Sequence, residues 1–218
     1  QGWLTDPEPV GAVREYSLPN SVGSFPIRIY TPDEDPPHPI LLWIHGGGWV
    51  RDSIDGNDPI CRAITNQTPC SVVSVGYRLA PEHPFPAGLH DCYTALNWIA
   101  KNPDIALSDG ETLAVGGKSA GGNLTVALSL LAHHQDGPTL HHQAPCVPVL
   151  DRPRKTESAQ ENATGYGLSR ADMEWYWNHY LRDSFDGRHQ YAAPLQSPDL
   201  GELPPATVLT AGFDPLRD

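Results

Sequence analysis

The sequence predicts an α/β domain built on an open, doubly wound, mostly parallel sheet. Three observations carry that prediction. Short apolar runs alternate with segments of helical periodicity along the 218 residues, as in strands joined through crossover helices. Two of the runs, Pro39–His45 and Ser71–Val75, are nearly continuous in apolar residues, the mark of strands buried on both faces. Two Gly-rich turns, His45–Trp49 and Gly117–Gly122, each follow a predicted strand. The carboxyl ends of strands are where open α/β sheets place their ligands.

Each element has its own local reason. Arg14–Leu18 and Pro26–Tyr30 read as an antiparallel pair around a Gly-containing turn. Asp33–Pro39 is a Pro/Asp loop leading into the buried run Pro39–His45. Asn57–Gln67 reads as a helix with Pro59 in its first turn, where the missing N–H has no partner to lose. Ser71–Val75 is the next strand. Leu89, Cys92, Tyr93, Leu96, Ile99 and Ala100 share one helical face, and Asn102-Pro103 stops that helix. Thr112–Val115 is a short strand, and Ser119–His134 a helix apolar nearly all round, hence buried. Cys146–Leu150 and Ala206–Ala211 are expected to be the later strands. Ser169-x-x-Asp172 forms a capping box for a helix with Met173, Tyr176, Trp177 and Tyr180 on one face. Residues 151–168 show no pattern, and 151–190 are expected to leave the sheet as a cap-forming excursion. The span 1–218 is read as a single, partial domain.

Composition removes several function classes. Asp and Glu number 26 against 14 Lys and Arg, a formal net charge of −12. That excludes a general nucleic-acid binder and a polybasic membrane-surface protein. No run approaches 18 apolar residues, so no membrane span is predicted. The 23 prolines are about twice the ordinary share and imply many fixed loops. The four cysteines, 61, 70, 92 and 146, have no C-x-x-C spacing. They are too few for a disulfide scaffold and read as buried or half-buried thiols. Of the three N-x-[ST] sequons, at Asn66, Asn123 and Asn162, Asn123 is expected to be buried. A cytoplasmic location is expected. The chain starts at Gln1 and stops at Asp218, and neither end reads as a natural terminus.

The chemistry concentrates in three places. Gly117-Lys118-Ser119-Ala120-Gly121 is a G-x-S-x-G between a predicted strand and a predicted helix, the context of a nucleophile elbow. The helix N-terminus there favours developing negative charge. The competing reading, the tail of a phosphate-binding loop, requires Gly at position 112, which is Thr. His45-Gly46-Gly47-Gly48-Trp49 spends three flexible residues in a row. That makes sense where backbone N–H groups must approach an oxyanion closely. Asp214 follows the last apolar run, where a carboxylate can orient a histidine; alone, an Asp before Pro is a turn residue. His133-His134 and His141-His142 read as solvated surface rather than a metal site, and neither metal nor cofactor is expected. His45 reads as structural, and His179 and His189 are set aside as substitute bases. Trp49 and the aromatics of 169–181 either line a pocket or belong to the core.

His45–Trp49, Tyr77–Ala87, Gly117–Gly122 and Asp214–Asp218 occur in this order, and together they resemble the hormone-sensitive-lipase-like esterases of the α/β-hydrolase fold. The similarity runs from about residue 12 to the last residue. The resemblance implies Ser119 as nucleophile and Asp214 as triad acid. It implies an oxyanion hole from the N–H groups of Gly47, Gly48 and Ala120, with Tyr77–Ala87 bracing the site. It further implies acyl transfer from small soluble esters to water. Three departures stand out. Lys118 occupies a position where Asp is usual, and the helical cap segment before the first strand is missing. No His follows Asp214: all ten precede it, whereas the fold orders its triad Ser, Asp, His. The last strand and helix, with that His, are expected to be absent, leaving this chain nearly inactive. Two further readings are a non-catalytic small-molecule-binding protein, like the plant hormone receptors that resemble these esterases, and an inactive truncated gene product.

Overall fold

A computed structural model describes residues 7–152, 156–183 and 185–218. Gln1 and residues 153–155 of the expected excursion lie outside the described residues. The sheet comprises β1 (Ala12–Asn20), β2 (Gly23–Thr31), β3 (Ile40–Ile44), β4 (Ser71–Val75), β5 (Leu113–Lys118) and β6 (His142–Cys146). Their spatial order is β1-β2-β4-β3-β5-β6. β1 and β2 form an antiparallel hairpin, from Ala12 opposite Thr31 to Asn20 opposite Gly23. β2 also runs antiparallel to β4, while β4, β3, β5 and β6 are mutually parallel.

The helices are α1 (Asp58–Gln67), α2 (Ala87–Lys101), α3 (Ala120–His134), the short α4 (Glu157–Glu161) and α5 (Arg170–Tyr180). α2 and α3 cover one face, over a core that includes Ile29, Leu42, Val73 and Val115. α1 covers the other face at β2 and β4, over Tyr30, Trp43 and Val72. Helices on both faces make the sheet doubly wound, as the alternating pattern predicts. Every residue of α3 from Ala120 to Ala132 is buried, which explains its lack of a polar stripe. Its first turn lies so close to β3 that a Cβ on Gly121 would stand 2.0 Å from the Ile44 carbonyl oxygen. Ser169 and Asp172 form the reciprocal capping box that opens α5.

Two expected strands are corrected. The strand expected at Cys146–Leu150 lies earlier, at His142–Cys146. Val147 takes φ 41° and turns the chain away, its N–H donating to the Leu209 carbonyl at 2.7 Å. β6 escaped notice because His142, Ala144 and Cys146 are only half-buried on the face beyond α1, so no apolar run marks it. Ala206–Ala211 is not a strand. It touches β6 through two isolated parallel bridges, Gln143 to Ala206 and Cys146 to Leu209, and all six residues are exposed. Backbone bonds tie it to β6, from Thr207 N–H to the Gln143 carbonyl at 2.9 Å and from Leu209 N–H to the Pro145 carbonyl at 3.2 Å, without a continuous ladder.

All four cysteines are free thiols, Cys61 and Cys92 buried and Cys70 and Cys146 half-buried. Asn123 is fully buried, its amide donating to the Val149 and Ala192 carbonyls at 2.7 and 2.8 Å. Among the described residues no helix is long and apolar enough to cross a membrane.

Candidate active site

The tight strand-to-helix turn between β5 and α3 holds Ser119 at φ 58° and ψ −115°. A non-glycine residue pays about 1–3 kcal/mol for such a backbone, so its surroundings must enforce it. They do so from both sides. The Ser119 N–H donates to the Cys146 carbonyl at 2.8 Å, and its own carbonyl accepts from Asn123 N–H at 3.0 Å and Val149 N–H at 3.4 Å. The half-buried side chain stands at the N-terminus of α3, where unpaired N–H groups and the helix dipole stabilise negative charge. Lys118, beside it, is exposed. Burial pushes the Cys146 thiol up in pKa, and the Lys118 charge partly opposes that rise.

The glycine run directly follows β3. Gly47 and Gly48 have φ 91° and 62°, and the Gly47 carbonyl accepts from Val50 and Arg51 N–H groups at 3.2 and 3.1 Å. The N–H groups of Gly47 and Gly48 donate to no protein acceptor among the described residues. His45 closes the base of this turn. Its Nδ1 lies 2.9 Å from the Gly46 carbonyl oxygen, and its ring stacks on Tyr77 at 4.3 Å. Burial holds the His45 pKa below its ordinary value, with the Gly46 carbonyl pulling the other way. The Tyr77 hydroxyl donates to the carbonyls of His45 and Gly46 at 3.1 and 3.2 Å, and Ala80 N–H donates to the Trp49 carbonyl at 2.9 Å. Arg78, next to Tyr77, is locked to buried Asp91 at 2.8 Å. The 77–87 loop thus fastens the glycine turn to α2.

Asp214 is half-buried. Its Oδ1 accepts from Leu216 N–H at 2.9 Å, and its carbonyl accepts from the Asn162 amide at 3.3 Å. A single cavity of about 730 Å³ is lined by Gly47, Gly48, Ser119 and Asp214 together. Trp49 and Trp177 line it while remaining core residues, 2% and 1% exposed; the alternatives of pocket wall and core were not exclusive. No histidine among the described residues lines the cavity. His134 bonds Tyr191 and Asp199 at 2.7 and 3.1 Å. His142 reaches Thr207 at 2.9 Å, and His179 Nδ1 lies 2.8 Å from the Trp175 carbonyl oxygen. Among the described residues no group of three His, Cys, Asp or Glu side chains is placed to hold a metal ion.

Sequence reasoning named the aromatics of 169–181 as pocket or core but did not single out Tyr166 and Phe213. Tyr166 and Phe213 stack at 5.4 Å on the cavity rim, and the Tyr176 ring lies against Gly48. Aromatic spacing in 173–180 was the available signal, but nothing local states which of those rings faces the glycines.

A six-strand doubly wound sheet with a strained serine at a strand-to-helix turn defines a hydrolase-type α/β scaffold. A family model described as alpha/beta hydrolase fold matches residues 41–218. Carboxylic ester hydrolase LipN of Mycobacterium tuberculosis is 38% identical over 213 residues, 94% of this chain and 56% of LipN. An arylesterase of Saccharolobus solfataricus is 37% identical over 212 residues, 97% of this chain and 69% of that protein. The solved structure of EstE1, a thermostable carboxylesterase cloned from a metagenomic library, matches with TM-score 0.93 and 39% identity, over 97% of this chain and 72% of that one. This chain belongs to the α/β-hydrolase-fold family, in its hormone-sensitive-lipase-like branch. It spans little more than half the length of LipN.

Proposed function

We propose that this chain carries the nucleophile, oxyanion donors and triad acid of a serine carboxylesterase acting on small soluble esters. Ser119 Oγ attacks the ester carbonyl as an imidazole, supplied by no described residue of the cavity lining, takes its proton and passes it to the leaving alcohol. The N–H groups of Gly47, Gly48 and Ala120 receive the oxyanion, and the alcohol leaves to give an acyl-enzyme that water resolves. Asp214 is the triad acid, there to orient and charge-stabilise an imidazole. One observation carries the reading. A serine strained at φ 58° on a helix N-terminus shares its cavity with two glycines whose N–H groups lack acceptors among the described residues.

No imidazole among the described residues lines the cavity, so the 218-residue polypeptide turns over slowly. An oxyanion hole and binding alone retain about 10³–10⁴-fold over water. The test pairs p-nitrophenyl butyrate hydrolysis with intact mass after exposure to an alkyl phosphonate ester. Expected are a weak hydrolysis rate and a single phosphonyl adduct that Ser119→Ala abolishes. An adduct that survives Ser119→Ala overturns the nucleophile assignment, and rapid turnover overturns the missing-base reading. The lack of a histidine among the described lining residues favours a second reading, a binding protein that retains a small ester without cleaving it. Saturable binding with no adduct at Ser119 would select it.

A further inference from the structure

We propose that Tyr176 is a positioning residue that holds the Gly48 N–H where the oxyanion forms, so that α5 sets the geometry of the glycine turn. The inference rests on the esterase reading for its catalytic consequence, but not for its structural one. A Cβ built on Gly48 would stand 2.1 Å from Tyr176 Cδ1 and 2.4 Å from Cγ. The ring therefore lies directly on the Gly48 backbone, and a side chain there would force the ring to shift. Arg51 comes from the same turn, its N–H bonded to the Gly47 carbonyl at 3.1 Å. Its guanidinium carbon lies 5.6 Å from the Tyr176 ring centroid, within the range of a cation–π contact. The turn thus grips one aromatic ring of α5 at two points.

The intervening residue grips the same helix. Trp49 stacks on Tyr180 at 4.1 Å with planes 6° apart, and meets Trp177 at 4.9 Å. Trp49 anchors the base of the turn in the core, while Tyr176 rests on the turn itself. The Tyr176 hydroxyl has no hydrogen bond among the described residues, so the flat ring, not the phenol, makes the contact. A donor displaced by about 1 Å can cost on the order of 10²-fold in rate, so a small shift of α5 is felt at the oxyanion.

The experiment compares Tyr176→Phe and Tyr176→Ala with the parent chain by two readouts. The first is hydrogen–deuterium exchange of the peptide covering residues 46–51, and the second is kcat and KM for p-nitrophenyl butyrate. Tyr176→Ala should accelerate exchange there and lower the residual kcat about tenfold or more, with KM changed less than about threefold. Tyr176→Phe should rescue both. Tyr176→Leu, which keeps more volume without a flat ring, reads the same two quantities should the Ala variant not fold. Unchanged exchange in the Ala or Leu variant overturns the proposal. So does a rise in KM at constant kcat, which marks a simple pocket wall. If the parent chain shows no hydrolysis above water, the esterase reading falls, and exchange alone still decides whether Tyr176 holds the turn.

Discussion

The two faces of the sheet are built differently. α2 and α3 pack against β3, β4, β5 and β6 on one face, where residues such as Leu42, Val73, Val115 and Leu128 are fully buried. On the other face, α1 shields only the β2–β4 half. Beyond it, Ala114, Ala144 and Cys146 are half-buried, Lys118 is exposed, and the adjoining Val208 and Leu209 are 53% and 52% exposed. The elbow straddles this divide. Its helix is locked into the dense face, while its strand neighbours border the open one. The strain at Ser119 is sustained from both sides, by Asn123 of α3 and by Cys146 of β6 with the returning Val149.

Substitutions on the two faces should separate sharply. The largest effect is expected at Asp91, 1% exposed and paired to Arg78. Asp91→Ala leaves that guanidinium without its carboxylate and should cost about 3–5 kcal/mol in urea unfolding. Next is Leu128→Ala on α3, at about 2–5 kcal/mol by the same measurement. An effect below about 1 kcal/mol would contradict the dense packing assigned to that face. His45 links the dense face to pH. Its folded-state pKa is depressed by burial below 6.5, so the folded chain binds fewer protons than the unfolded one. The stability it contributes is full above about pH 6.5 and is lost as pH falls toward the folded value. Unfolding midpoints measured between pH 7.5 and 5 should decline, and His45→Asn should flatten part of that slope. The smallest effect is expected at Cys146→Ser on the open face, within about 0.5 kcal/mol. A cost near 2 kcal/mol would mean that this face is packed against something in solution.

Much of the site could be read before any fold was seen. The elbow is legible because a strand-to-helix turn this tight dictates small residues at Gly117 and Gly121 around one fixed serine. The glycine turn is legible for a similar reason, since its backbone takes φ values of 91° and 62° that favour glycine. β6 was misplaced because its residues neither alternate nor run apolar in sequence: α3 packs against it, yet the residues it buries are Gln143 and Pro145, and His142, Ala144 and Cys146 are only half-buried. The 206–211 run was overread because Val208 and Leu209 resemble strand residues, yet their environment leaves them in water. Tyr176 was visible only as one member of an aromatic helix face. Its contact with Gly48 spans two segments far apart in sequence, and no local periodicity encodes which ring of α5 faces which turn.

By itself the sequence determined the class of sheet and the two turns at His45–Trp49 and Gly117–Gly121, because each follows from residue types adjacent along the chain. Only the tertiary structure decided the asymmetry of the two faces, the bracing of His45 by Tyr77, the seat of Tyr176 on Gly48 and the cavity that gathers Ser119 with Asp214. These depend on which distant segments pack together, and packing is set by burial and shape across the whole molecule rather than by any short stretch of it.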